Sequence, residues 1–297
     1  MTRWDVIGVG ANSVDYVYRL PAYPRPDSPT AKMRIESHLV SYGGQTATVL
    51  STCAAMGLRA KYVGAFGGDD NGRRMRDELT RCQVDLSGAV TRDAPNRFAV
   101  ILLDQTVGER VVLWDRDPRL SIDNTDVTPV ALSGTRLIHV DDEDQQAAIR
   151  AATIGREAEV PVTSDIERLT DRTGELVAAV TVPIFAEHLL QQLTGESDFE
   201  RALRKVRRTH DGLLCVTLGA RGAMLLDGDT LHHEPARPVK VVDTTGAGDV
   251  FRGAFIHALL RGDTSRDILR FANAAAAISC TRMGAIASVP SLPDVEL

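Results

Sequence analysis

The chain has 297 residues, of which 43% are hydrophobic and 25% are charged, and its formal net charge at pH 7 is −6. This composition is ordinary for a globular protein with a large core, and the length suits one α/β domain with a small insertion. The excess of acidic residues, without a dense Lys/Arg run, argues against nucleic acid or a membrane surface as a partner.

The cysteines and the N-terminal sequence indicate a soluble, cytoplasmic protein. Cys53, Cys82, Cys215 and Cys280 are far apart, and each lies in an apolar stretch, which predicts buried free thiols in a reducing compartment. The first residues, "MTRWDVIGVG", read directly as a strand rather than as a signal peptide. No apolar stretch approaches the roughly 18 residues of a membrane-spanning helix.

Short apolar runs alternate with helical patterns along the chain. In order, the runs are "WDVIGVG", "AKYVGAF", "TRLIHV", "VPVTSD", "TVPIFA" and "LLCVTLG", and the helical patterns cover about 44–57, 71–82, 145–157, 198–209, 249–261 and 265–281. This alternation predicts an α/β fold with a mostly parallel central sheet between two layers of helices. Because ligands of such sheets bind beyond the carboxyl ends of the strands, we expect the glycine-rich turns to gather at one edge.

Two pairs of strands interrupt the alternation. "SVDYVYRL" with "TAKMRIESHLV", and "RFAVILLD" with "ERVVLWD", read as paired strands joined by the turns "PAYPRPDSP" and "QTVG". They predict a small separate sheet, inserted at about 14–42 and 96–116 into a single domain that spans 1–297, and we expect it to act as a lid. Exposed edges of such a lid would favour a homodimer formed through it.

The stretch "DTTGAGDVFRGAF", residues 243–255, carries the clearest chemical signal. A helix is predicted to start near Ala247, so its unpaired N–H groups and positive dipole end face the turn and can bind an anion. Asp249 could be only a favourable charge in the first turn, but that explains neither the two glycines nor the two threonines before it. Donors for a phosphate together with a carboxylate base are what phosphoryl transfer requires.

This stretch resembles the C-terminal signature of the ribokinase-like, or phosphofructokinase-B (PfkB), carbohydrate kinases. Other similar stretches cover nearly the whole chain: "VGANSVDYV", "YGGQTATVLSTCAAMGLRAKYVGAFGGDDNGRRM", "TLGARGAMLL" and "FANAAAAISCTRMGA". The resemblance implies a ribokinase-like α/β/α domain with a β-sheet lid and a reaction that uses ATP and Mg²⁺. It also implies that Asp249 is the catalytic base and that the backbone of Gly246, Ala247 and Gly248 forms the anion hole.

The resemblance implies roles for further residues. On the sugar side it points to Asp15, which would otherwise be a turn residue, to Gly43 and Gly44, and to Thr48, where relatives often carry asparagine. On the nucleotide side it points to Thr217, Gly219 and Gly222, and to Asn273, which lines the adenine pocket or simply packs its helix. Asp243 would lie beside the phosphates and help to place Mg²⁺, directly or through water.

One stretch departs from the family pattern. Many members carry N-x-x-E before an "LTG" turn, whereas this chain has Ala186 and Leu189 at that spacing, with Glu187 nearby. The departure makes the handling of Mg²⁺ an open question.

The acceptor is expected to be a neutral hexose, ketose or other polyol. "GERVVLWDRDPRLS" resembles both ketohexokinase-type and sulfosugar-kinase-type members, and Lys32 could serve a sulfonate. The acidic run 141–144 would repel an anionic sugar, unless it is only a solvated helix N-terminus. A nucleoside is a further alternative, for which Trp114 and Phe98 could stack on a ring or could equally be lid core.

Proteins of other classes are possible as well. "GVGANS" suggests a nicotinamide-binding turn, but Ser13 stands where the third glycine belongs, and no P-loop motif occurs. A non-catalytic sugar sensor on this fold would need no base, yet Asp249 and its glycine turn are intact.

Overall fold

A mostly parallel sheet forms the centre of the computed structural model, which describes residues 3–104 and 110–296. Its strands are β1 (Trp4–Val9), β4 (Ala60–Val63), β9 (Thr135–Asp141), β10 (Val162–Asp165), β11 (Ile184–Ala186), β12 (Leu214–Thr217), β13 (Ala223–Asp227) and β14 (Thr230–Glu234). The order is β4-β1-β9-β10 followed by β11-β12-β13-β14, and the bridges Thr163–Val182 and Ile166–Phe185 join the two halves. Only the hairpin β13–β14 runs antiparallel to its neighbours in this described part of the sheet.

Helices cover both faces of this sheet. They are α1 (Gln45–Ala55), α2 (Asp70–Arg81), α3 (Gln145–Glu157), α4 (Thr173–Ala179), α5 (Glu187–Thr194), α6 (Phe199–Arg207), α7 (Ala247–Arg261), α8 (Ser265–Ser279) and α9 (Leu292–Glu296). The apolar side chains of α3 to α6 pack together on one face, and those of α1, α2, α7 and α8 pack on the other. The predicted three-layer α/β/α architecture is therefore confirmed.

A second, smaller sheet stands apart from the central one. It contains β2 (Ser13–Leu20), β3 (Ser37–Gly43), β7 (Phe98–Asp104) and β8 (Arg110–Asp115), in the order β3-β2-β7-β8. The β2–β3 and β7–β8 pairs are antiparallel, as expected from the sequence, and β2 pairs with β7 in parallel. The predicted turn "QTVG" lies outside the described residues.

The structure corrects several local expectations. Residues 30–36 are not part of a strand: Pro29–Ala31 form a short 3-10 helix, and β3 begins only at Ser37, opposite Arg19. The short helices α4 and α5 were not predicted from the sequence, because two turns of helix carry little periodic signal. Three further 3-10 helices cover Pro118–Leu120, Gly219–Arg221 and Ile286–Ser288, and β5 (Ala65–Gly67) pairs with β6 (Val90–Arg92).

Burial differs among the four cysteines. All four cysteines are free thiols, but only Cys53 and Cys215 are buried, whereas Cys82 and Cys280 are partly exposed, contrary to expectation. Within residues 3–104 and 110–296, no helix has the length and apolar character needed to cross a bilayer.

Candidate active site

A cavity of about 490 Å³ lies between the small sheet and the carboxyl edge of the central sheet. Asp15, Gly44, Gly246 and Asp249 line it together, although they are up to 234 positions apart in the chain. The small sheet supplies one wall, which includes Trp114, and the turn before α7 supplies the opposite one. The predicted gathering of glycine-rich turns at one sheet edge therefore brings sugar-side and base-side residues to one space.

The turn before α7 depends on glycine at position 246. Gly246 has φ +76°, in the left-handed region, and a Cβ there would lie 2.7 Å from the Cβ of Ala285. No side chain of the described residues caps α7, so its first-turn N–H groups are not blocked by a side-chain acceptor. The Ala247 N–H, however, donates to the Thr244 carbonyl at 3.2 Å. Gly246 and Gly248 are thus better placed than Ala247 to donate to an anion.

Asp249 projects from the first turn of α7 into the cavity. Burial of the carboxyl, reinforced by the negative charge of Glu167, raises its pKa to about 8, while the positive charge of Arg252 acts in the opposite direction. A carboxylate with a pKa close to the working pH is suited to accept a proton from a hydroxyl group.

An ion pair that the sequence reasoning missed lies beneath this turn. Arg252 Nη2 lies 2.5 Å from Asp165 Oδ1, and both side chains are buried. Arg252 Nη2 is also 3.8 Å from Oε1 of Glu167, which reaches the cavity. The sequence did hold a signal, because Arg252 interrupts an otherwise apolar segment of α7, "VFRGAF".

The sugar-side residues lie at the start of β2 and α1. Asp15 is 8% exposed, it accepts a hydrogen bond from Ser13 Oγ at 2.8 Å, and burial raises its pKa. Gly43 packs against it, since a Cβ at Gly43 would lie 3.2 Å from Asp15 Oδ2. Thr48 is fully buried, and within the described structure its hydroxyl has no hydrogen-bond partner and does not line the cavity.

The acidic run 141–144 neither lines this cavity nor forms a solvated helix end, which contradicts both interpretations of it. Asp141 Oδ2 accepts hydrogen bonds from Ala11 N at 2.7 Å and Thr46 Oγ1 at 2.8 Å. Asp142 Oδ2 accepts from the backbone N–H groups of Glu167 and Arg168, at 2.7 and 2.6 Å. These two aspartates are buried and fasten loops to the end of β9.

The next two acids of the run pair with arginines. Glu143 Oε2 lies 2.7 Å from Arg97 Nη1 and 2.6 Å from Arg168 Nη2, and Asp144 Oδ2 lies 2.5 Å from Arg116 Nη2. Glu143 is the buried partner, whereas Arg97 and Arg168 line the cavity. Guanidinium groups therefore line the cavity, whereas the sequence suggested carboxylates there. Lys32 is exposed, and it is not among the described residues that line the cavity.

The two aromatic candidates, Trp114 and Phe98, lie in different surroundings. Trp114 is 61% exposed and lines the cavity, with the Arg97 guanidinium 5.7 Å from its ring centroid. Phe98 packs edge-on against Tyr16, with ring centroids 6.4 Å apart.

Of the nucleotide-side candidates, Thr217, Gly219 and Gly222 lie on or just after β12, and Asn273 lies on α8. None of them is among the described residues that line this cavity. Thr217 Oγ1 donates to the Phe185 carbonyl at 3.3 Å, and Gly219 faces open space with φ +56°. Gly222 is tightly enclosed, since a Cβ there would lie 2.0 Å from the Glu234 carbonyl oxygen. Asn273 is buried and donates to that same carbonyl at 2.8 Å, so its amide holds the end of β14.

Asp243 uses both carboxylate oxygens to shape the glycine turn. Oδ1 accepts from the N–H and hydroxyl groups of Thr245, at 2.9 and 2.7 Å, and Oδ2 accepts from Gly284 N at 2.9 Å. Glu187, the acid closest to the missing N-x-x-E position, forms an ion pair with Arg221. Within residues 3–104 and 110–296, no group of three or more His, Cys, Asp or Glu could hold a metal ion. The residues suit a Mg²⁺ ion that arrives with phosphate groups and keeps most of its waters, not a metal held by protein ligands alone.

Comparisons with known proteins identify the family of the chain. The sequence profile described as "pfkB family carbohydrate kinase" matches residues 12–292. An aminoimidazole riboside kinase of Salmonella typhimurium is 30% identical over 284 residues, which cover 87% of each chain. An ATP-dependent ribose-1-phosphate kinase of Halopiger xanaduensis is 29% identical over 94% of this chain and 93% of its own. The solved structure of Arabidopsis thaliana ribokinase complexed with ribose and ATP superposes with a TM-score of 0.87 at 25% identity, over 99% of this chain and 97% of that one. The chain therefore belongs to the pfkB family of carbohydrate kinases and is a phosphotransferase with an alcohol group as acceptor.

Proposed function

We propose that this protein transfers the γ-phosphate of ATP to a hydroxyl group of a small sugar, in a reaction that requires Mg²⁺. The observation that carries the proposal is that Asp249 and the Gly246 turn share one cavity with Asp15, whose carboxylate is positioned on β2 to receive sugar hydroxyls. The ribokinase relative with bound ribose and ATP supports the pairing of a sugar with a nucleotide in this fold. We expect the reaction to take place in the cytoplasm.

We assign a distinct task to each side of the cavity. An aspartate can accept hydrogen bonds from two neighbouring hydroxyl groups, so Asp15 orients the sugar ring. Asp249 accepts the proton of the attacking hydroxyl, whose oxygen forms a bond to the γ-phosphorus as the bond to ADP breaks. The N–H groups at Gly246 and Gly248 stabilise the negative charge on the transferred phosphoryl group. When bound, Mg²⁺ neutralises phosphate charge, and Asp243 is the residue that we propose to hold it, through water.

We propose that the small sheet acts as a lid over this site. Val112 and Trp114 on β8 point into the cavity, so movement of the sheet would change its access to water, which otherwise competes with the sugar as acceptor. The alternate residues Val111 and Leu113 are 40% and 55% exposed on the other face of this edge strand. We propose that a second copy of the chain covers this edge in a homodimer.

Two acceptor classes follow from the walls of the cavity. A neutral hexose, ketose or nucleoside needs only hydroxyl partners such as Asp15. A sugar that carries a phosphate or sulfonate group is the second candidate, because Arg97 and Arg168 present guanidinium groups to the cavity while their partner Glu143 lies buried behind them. Guanidinium groups bind such anions through paired hydrogen bonds.

A sugar panel with an ADP-release assay tests the function. We expect turnover with Mg²⁺-ATP of at least one acceptor among D-ribose, D-fructose, adenosine, ribose 1-phosphate and a sulfosugar. The turnover should fall by about 10² to 10⁴ in Asp249→Asn, which removes the base at nearly constant volume. Binding of a panel sugar by calorimetry without ADP release would instead identify a sugar sensor.

A further inference from the structure

Arg252 is the largest side chain that the described structure buries almost completely, at 1% exposure. It follows Asp249 by three positions in α7, so both side chains lie on one face of the helix. Its neighbours Phe251, Gly253 and Ala254 on the same helix are buried as well. A charged group in such a place must be paired, because an isolated buried charge is strongly unfavourable.

The partners of Arg252 connect the core to the candidate active site. Asp165, the last residue of β10, is fully buried and lies 2.5 Å from Nη2 of the guanidinium. Glu167, two positions later, is 3.8 Å from the same nitrogen and reaches the cavity. The guanidinium also lies directly below the phosphate-binding turn, since a Cβ on Gly248 would be 2.8 Å from Nη1. One cation therefore contacts the turn and two of the acids that surround the base.

We propose that Arg252, anchored by Asp165, is a positioning residue for the catalytic base: it packs beneath the Gly248 backbone and places a fixed positive charge close to the Asp249 carboxylate. This inference rests on the proposed role of Asp249 as the base. It predicts that Asp165 and Asp249 compete for the charge of the same guanidinium. Removal of Arg252 should therefore make the surroundings of Asp249 more negative, and removal of Asp165 should make them more positive.

The charges around the pair agree with this competition. Burial raises the pKa of both Asp165 and Asp249, and Arg252 lowers both. The titratable groups that face Asp249, Asp165 or Arg252 come from several elements: Asp141 and His139 on β9, Asp142 after it, Glu167 after β10, and Cys215 on β12. Of these, the carboxylates raise the pKa of Asp165 or Asp249, and the His139 and Cys215 side chains are held neutral by burial. Arg252 thus offsets two of these acids, Asp165 and Glu167, at close range.

Four variants of the full chain test the proposal: Arg252→Met, Arg252→Lys, Asp165→Asn and, as a matched surface control on α6, Arg201→Met. The readout is the acidic limb of kcat/KM against pH, measured with the panel acceptor that the unmodified chain turns over best. We expect Arg252→Met to move this limb upward by about one pH unit or more and Asp165→Asn to move it downward. Arg252→Lys should keep the limb close to its original position, as should Arg201→Met. At a pH below the limb, one unit corresponds to about a tenfold change in kcat/KM.

Each other outcome is decisive against the proposal. If the limb stays in place in Arg252→Met and Asp165→Asn while only the thermal midpoint falls, the ion pair has a structural role alone. If Arg252→Met does not fold, Asp165→Asn and Arg252→Lys decide the question, and a limb that is unmoved or raised in Asp165→Asn overturns the inference.

A second measurement separates this inference from the proposed function. The carboxyl ¹³C resonance of Asp249, assigned by its loss in Asp249→Asn, can be titrated without any acceptor. If no panel sugar is turned over, the proposed function fails, yet the same opposite shifts of this titration in Arg252→Met and Asp165→Asn would still support the pairing. Their absence would refute it.

Discussion

Replacing Gly246 by alanine should lower both the stability and the turnover of the protein more than the same replacement in another tight turn. Two effects act together at this position. The backbone has φ +76°, which a residue with a Cβ adopts at a cost of about 1–2 kcal/mol. The new Cβ would also lie 2.7 Å from the Cβ and 2.9 Å from the Cα of Ala285, and overpacking of this kind costs about 1–3 kcal/mol.

Gly228, in the hairpin between β13 and β14, provides a matched control. Its φ is +55°, but a Cβ there would meet no atom of the described structure within 4 Å. Gly228→Ala should therefore lower the free energy of unfolding by about 1–2 kcal/mol and Gly246→Ala by about 2–5 kcal/mol. The difference between the variants isolates the collision with Ala285.

Urea unfolding gives both free energies, and the ADP-release assay gives the consequence for turnover. Because the collision displaces the N–H groups that we assign to the phosphate, kcat in Gly246→Ala should fall on the order of 10²-fold, while Gly228→Ala should keep it. Equal losses of stability would show that Ala285 moves aside freely. Undiminished turnover in Gly246→Ala would refute the assignment of this turn to phosphate binding.

Three further predictions concern pH, acceptor charge and assembly. Because the pKa of Asp249 is raised to about 8, its base form is depleted below that pH, so kcat/KM should rise with pH through about 8; a flat profile from pH 6 to 9 would contradict this. Arg97→Met should raise KM for ribose 1-phosphate at least tenfold while changing KM for ribose little. If both KM values change equally, the arginine shapes the site but does not bind the phosphate group. Leu113→Arg, on the outer face of the edge strand, should convert a dimer to monomers in light scattering at micromolar concentration, and an unchanged mass would exclude this face as the interface.

The sequence alone was sufficient for the fold class and for the glycine turn and helix start within residues 243–255. Alternating apolar runs and helical patterns identify an α/β sheet, because each run must be buried on both faces. The spacing in "DTTGAGDVFRGAF" reflects local rules of helix starts and glycine turns, and α7 begins at Ala247 as predicted. Helix starts and glycine turns depend on residues that are close in the sequence, so they can be predicted without knowing the tertiary structure.

Only the tertiary structure decided which charges meet. The acidic run 141–144 suggests a negative surface in the sequence. In the structure, each of its members accepts a hydrogen bond from a backbone N–H or pairs with an arginine of a distant segment. Arg97 lies before β7 and Arg168 lies after β10, and only the fold brings both to Glu143 and to the cavity. Arg252 is likewise paired with Asp165, which is 87 positions earlier in the chain. Electrostatic energy depends on distance and burial in space, and neither quantity is contained in the spacing of residues along the sequence.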